Sequence, residues 1–177
     1  MGFSTGGHQV VLSGLRPHYP DYVTDPVGTG DEPDASLDYL VSCGCVFDLV
    51  GSLTGNWQGE LNIMKVDAFF GDISNILNAS PKQIIRTDEK VSLPPLLIVQ
   101  AGADDLSGGT PDAAAFAVEY AERGGFVELA IVPGASHIFL NPGLVEPTEG
   151  MWRGQDAIKT FISRQVQPPA PVPAPAP

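Results

Sequence analysis

The chain begins MGFSTGGH, and Gly2-Phe3-Ser4-Thr5-Gly6 reads G-x-S-x-G, a pattern that holds a serine on a sharp turn between a strand and a helix. A serine hydroxyl becomes a useful nucleophile when a histidine takes its proton and a carboxylate orients that histidine. Three histidines are available. His137, in PGASHIF, follows the apolar stretch 127–132 and has small residues around it. His8 falls on the helix behind Ser4, where packing is its expected role, and His18 lies in a Pro-rich loop without an evident partner. For the carboxylate, Asp104 stands directly after QAGA, where the apolar stretch 96–99 ends. Asp105 competes with it, because a strand end read from sequence is uncertain by a residue or more. Asp112 reads as a helix-start charge and Asp48 as a capping or turn acid. Ser4, Asp104 and His137 are thus the candidates for nucleophilic attack on a carbonyl. Taken alone, Ser4 is equally an ordinary serine in a Gly-rich turn at a helix N-terminus, a place suited to anions.

The elements that must position these residues follow from periodicity and punctuation. After the elbow, GGHQVVLSGLRP carries Val10, Val11, Leu12 and Leu15 and stops at Pro17, as a short, largely buried helix does. Residues 18–36 are rich in Pro, Gly and Asp and read as a loop. LDYLVSCGCVF, 37–47, predicts a strand covered on both faces, with Cys43 and Cys45 on one of them. Segment 48–92 has room for one or two short helices, and Trp57, Phe69 and Phe70 in it are candidates for an acyl pocket or for core. Leu96–Val99 predicts a buried strand. Thr110-Pro111-Asp112 predicts a helix start with Thr110 as the cap, and Gly124-Gly125 its end. FVELAIVP is the next strand. MWRGQDAIKTFISRQ is an amphipathic helix with Met151, Ile158, Phe161 and Ile162 on one side. Such alternation predicts an α/β fold, a mostly parallel sheet with flanking helices. Residues 1–165 form the folded part, and the Pro-rich 166–177 is expected to be an extended appendage.

With these motifs in place, the chain resembles the C-terminal half of an α/β-hydrolase-fold serine esterase, of the acetyl-xylan-esterase-like and carboxylesterase-lipase branch. GFSTGGH resembles its nucleophile elbow, LLIVQAGADDL its acid loop and VELAIVPGASHIF its histidine loop. The resemblance implies Ser4 as nucleophile, His137 as general base and then acid, Asp104 as the residue orienting His137, and the Thr5 N–H as an oxyanion-hole donor. It implies a small carboxylic ester as substrate and no metal or organic cofactor. Gln100-Ala101 replaces the His-Gly that many relatives carry, and Ser136 stands where glycine is common. The family's first strands and its Gly-rich oxyanion loop precede the elbow. Met1 is therefore expected to be an internal methionine, and these 177 residues a poor catalyst and a poor folder by themselves. Two other readings compete: a prolyl-oligopeptidase-like serine peptidase, whose elbow has Tyr where Thr5 stands, and a catalytically inactive fragment.

Composition narrows the partners. At 43% hydrophobic and 17% charged residues the chain is globular rather than disordered. A net charge of −12 repels phosphate backbones and anionic lipid, which argues against nucleic-acid or membrane-surface partners. Neither a membrane-spanning run nor a signal peptide is visible, so the cytoplasm is the default compartment. Cys43 and Cys45, the only cysteines, make neither a zinc site nor a disulfide framework and are expected to be buried thiols.

Overall fold

The computed structural model describes residues 1–19, 36–54, 71–140 and 149–167. In chain order these form β1 (Gly2–Phe3), α1 (Thr5–Leu15), β2 (Leu40–Cys43), α2 (Leu49–Thr54), α3 (Ile73–Ala79), α4 (Pro81–Arg86), β3 (Leu96–Ala101), α5 (Gly109–Glu122), β4 (Val127–Val132) and α6 (Glu149–Gln165). The strands make one parallel sheet in the order β1-β2-β3-β4. Parallel neighbours need crossovers, and the helices supply them.

Side chains of a strand alternate between faces, and the two faces bury different sets. Leu40, Leu96 and Ile98 join Val11 and Leu15 of α1 and Phe116 and Tyr120 of α5. Val41, Cys43, Leu97 and Val99 join Ile158 and Phe161 of α6. Every residue of β2 and β3 is buried, as the unbroken apolar runs require of central strands. Phe116, fully buried, stacks on Phe47 with ring centroids 4.4 Å apart. Burying such a side chain contributes roughly 1.5–3 kcal/mol. The Tyr120 hydroxyl, also inside, donates to the Pro94 carbonyl at 2.6 Å.

Several boundaries differ from the sequence-based expectation. The strand foreseen over 37–47 is only Leu40–Cys43, because Gly44 at φ 55° turns the chain out of the sheet. Cys43 and Cys45 are both buried, but they pack into opposite clusters rather than on one face. Strand 96–99 runs on to Ala101. The cap of α5 is Gly108, in a left-handed conformation, and Thr110 and Pro111 sit inside the first turn. The described part of segment 48–92 holds three short helices, α2, α3 and α4. Trp57, Phe69 and Phe70, most of the loop at 18–36, and the appendage from residue 168 lie outside the described residues.

Candidate active site

Ser4 joins β1 to α1 with φ 52° and ψ −122°, and among the described residues it is the only non-glycine at positive φ. A Cβ in that region costs about 1–3 kcal/mol, so the surroundings must impose the conformation. They do so in two ways. The Ser4 N–H donates to the Cys43 carbonyl at 2.8 Å, tying the turn to the end of β2. A Cβ at Gly2 would lie 2.1 Å from the Gly6 carbonyl oxygen, so the strand and the first turn of α1 meet backbone to backbone. The second glycine of the pattern, Gly6, has open space around it. The next, Gly7, is confined, its would-be Cβ 3.0 Å from Ser42 Oγ. Thr5 opens α1, so its N–H has no partner within the helix.

His137 follows β4 and is buried. Its Nδ1 lies 2.9 Å from Asp104 Oδ2 and its Nε2 2.9 Å from Ser4 Oγ. A carboxylate only accepts, so Nδ1 carries the proton; the neutral ring then accepts at Nε2, and Ser4 donates. The ring sits against Phe3, with centroids 5.4 Å apart, and close to Gly44, where a Cβ would come within 3.5 Å of it. Ser4, His137 and Asp104, separated widely in sequence, thus form one hydrogen-bonded chain.

Asp104 has no exposed side-chain surface. Burial alone would push its carboxyl up. Hydrogen bonds from His137, Ser107 and the Leu106 N–H outweigh that and hold it down at about 2. Its Oδ1 accepts from the N–H groups of Leu106 (2.9 Å) and Ser107 (3.1 Å). Oδ2 accepts from His137, from the Ser107 hydroxyl at 2.5 Å and from Gln100 Nε2 at 2.9 Å. Gln100 and Ser107 are the residues sequence reasoning missed as part of the site. The available signal was a glutamine inside the otherwise apolar strand LLIVQA.

The rival residues lie elsewhere. Asp105 is exposed. Asp112, in the first turn of α5 as foreseen, accepts from the N–H groups of Phe47 and Asp48 at 2.9 and 3.2 Å. Together with Asp48 it flanks Lys82 Nζ, at 3.5 and 3.3 Å respectively. Burial raises the Asp112 carboxyl; at Asp48 burial is outweighed by the Gly51 N–H and Lys82, which lower it. This group pins the chain after Gly44 onto α4 and α5. His8 Nδ1 donates to the Val46 carbonyl at 2.8 Å, and burial keeps that ring below its usual range. His18 helps to line a cavity of about 420 Å³ with Arg16, Tyr19 and Glu89, to which neither Ser4, Asp104 nor His137 contributes. Among the described residues no cluster of three or more His, Cys, Asp or Glu has the placement to hold a metal ion, and no helix is long and apolar enough to cross a membrane.

No protein-family model matches the chain, and no curated protein matches it by sequence. Solved structures do match by fold. Esterase 2 of Thermogutta terrifontis superposes with a TM-score of 0.65 at 19% identity, over 93% of this chain and 52% of that one. Its butyrate-bound form gives 0.66 at 19% identity over 96% and 57%. Esterase B of Lactobacillus rhamnosis gives 0.67 at 14% identity over 92% and 52%. The chain therefore spans about half the length of the esterases it resembles, and over that half it has the α/β-hydrolase fold they share.

Proposed function

We propose that this chain carries the catalytic residues of a serine hydrolase acting on small carboxylic esters, with residues 1–165 as part of the catalytic domain and the Pro-rich end as an appendage. The observation that carries the reading is the unbroken relay from Ser4 Oγ through His137 to Asp104, both links at 2.9 Å, beginning at a strained serine. As Ser4 Oγ attacks the ester carbonyl carbon, its proton passes to His137 Nε2. Ionised Asp104, at Nδ1, stabilises the imidazolium and holds the ring in the required tautomer. The carbonyl oxygen gains negative charge, and the Thr5 N–H is placed at a helix start to donate to it. Collapse breaks the bond to the leaving oxygen, which takes the proton back from His137 and departs as an alcohol. Water then gives its proton to His137 and attacks the acyl-serine, and the carboxylic acid leaves as Ser4 recovers its proton.

A short acyl group is favoured by the ligands of a structural neighbour: esterase 2 was solved with butyrate and with propionate bound, and phosphonylated by sarin. Thr5 in place of tyrosine favours ester over aminoacyl-proline substrates. The test is to treat the protein with a fluorophosphonate probe and map the adduct, with p-nitrophenyl acetate and an aminoacyl-proline amide assayed in parallel. Labelling at Ser4 with turnover of the ester is expected. An adduct elsewhere, or a preference for the amide, would overturn the proposal.

A further inference from the structure

Among the described residues five hydrogen bonds reach the Asp104 carboxylate, and three of them converge on Oδ2, the oxygen that His137 uses. Two of those three come from side chains. Ser107 Oγ donates to Oδ2 at 2.5 Å and itself lies 3.3 Å from Gln100 Nε2, which donates to Oδ2 at 2.9 Å. Both side chains are buried, Gln100 without any exposed surface, and the other end of its amide, Oε1, has no hydrogen-bond partner among the described residues. Leaving a buried amide oxygen unpaired costs about 1–3 kcal/mol. A leucine or methionine in β3 would avoid that cost, so packing does not account for a glutamine here. The contact that Nε2 makes with Asp104 does.

Resting on the serine-hydrolase reading, we propose that Gln100 and Ser107 are positioning residues that share Asp104 Oδ2 with His137, fixing the carboxylate rotamer and limiting how much of its negative charge the imidazole experiences. The backbone donors at Oδ1 hold one oxygen; the side-chain pair holds the other and takes up charge that would otherwise fall on the Nδ1–H bond. Among the described residues, the groups facing His137 are Asp104 from the loop after β3, Ser4 from the β1–α1 turn, Phe3 from β1 and Gly44 after β2. Of these only Asp104 is charged. The neighbouring Cys43 thiol, pushed up to about 12 by burial, is neutral, and Asp105 is exposed. Changing the donors to Oδ2 therefore acts on His137 through one charge.

The expected consequence has a sign. Removing a donor frees charge on Oδ2, strengthens its hold on a protonated ring, and moves the titration of His137 toward higher pH. The test is an NMR titration of the imidazole Cε1–H signals in the full chain, where only three histidines need assigning. Ser107→Ala removes one oxygen, and Gln100→Met keeps the length of the side chain while removing the amide. Each is expected to raise the His137 midpoint by about 0.5 pH unit or more relative to wild type, with Asp104→Asn lowering it. Ser107→Thr, which keeps the hydroxyl, should restore the wild-type midpoint. An unchanged or lowered midpoint in folded Ser107→Ala and Gln100→Met would overturn the proposal, since a merely structural role would leave it where it was. The readout needs no turnover, so failure of the esterase reading and failure of this one are separable.

Discussion

Ser4 stands at φ 52°, ψ −122°, where a side chain with a Cβ is strained and glycine is not. Two variants separate that strain from the hydroxyl. Ser4→Ala and Ser4→Gly both remove Oγ and its hydrogen bond to His137, but only alanine keeps the Cβ. At an ordinary site glycine is the less stable of the two by about 0.4–1 kcal/mol, because the unfolded chain gains freedom. Here the strain relieved in the folded state, about 1–3 kcal/mol, opposes that term and exceeds it. Ser4→Gly is therefore expected to be more stable than Ser4→Ala by about 1 kcal/mol. With a urea slope of about 2 kcal/mol per molar, the midpoints should differ by roughly 0.5 M. Equilibrium urea unfolding followed by far-ultraviolet circular dichroism reads this without any need for activity. Equal midpoints, or a higher one for alanine, would show that the elbow does not hold Ser4 strained, and the argument from its backbone would fall.

The two glycines of the motif should behave oppositely. Gly2→Ala drives a Cβ to within 2.1 Å of the Gly6 carbonyl and should lower the thermal midpoint by several degrees or abolish folding, whereas Gly6→Ala, in open space on a helix, should leave it unchanged or raise it slightly. Where ester turnover is measured, Asp104→Asn is expected to lower kcat by about 10³–10⁴ by favouring the wrong imidazole tautomer, while Asp105→Asn, on an exposed residue, changes it less than twofold; the reverse ranking would reassign the acid. Because the Asp104 carboxyl is held at about 2 in the folded state against about 3.9 unfolded, its ionisation stabilises the fold fully above the unfolded value and progressively less as pH falls toward 2. The stability gap between wild type and Asp104→Asn, from urea unfolding at several pH values, should accordingly narrow between about pH 4 and pH 2.

What was legible in the sequence was whatever burial writes as a pattern. The run LLIV announced a buried strand, and Met151, Ile158 and Phe161 at helical spacing announced the buried side of α6. The order of Ser4, Asp104 and His137 was readable because Ser4 lies in a G-x-S-x-G pattern and Asp104 and His137 each follow a recognisable strand. Less readable was anything decided by a partner far along the chain. Asp112 reads locally as a first-turn acid, yet its oxygens are spent on the N–H groups of Phe47 and Asp48 and on Lys82. Gln100 reads as an imperfection in an apolar strand until Asp104 and Ser107 fold back onto it. Segment 48–92 carries neither a sustained period nor strong punctuation, and helices of six or seven residues are held by their neighbours rather than by propensity.

The largest misreading, a strand drawn through to residue 47, falls where the site is assembled. An extended chain through Gly44 would carry Cys45 and Phe47 along the sheet and keep the end of β2 in register with β1. Instead the Gly44 N–H makes the last ladder bond, to the Val99 carbonyl at 2.9 Å, and its φ of 55° then turns the chain, so β2 stops at Cys43 and the chain leaves toward α4 and α5. That early stop puts a residue without a side chain beside the His137 ring and Phe3, directly after the Cys43 carbonyl that accepts the Ser4 N–H. An alanine at 44 would be strained by its φ, while its Cβ, 3.5 Å from the imidazole, would make only an ordinary van der Waals contact. The backbone feature that breaks the hydrophobic period is thus a left-handed glycine turn lying against the histidine, as expected when local rules give way at a functional site.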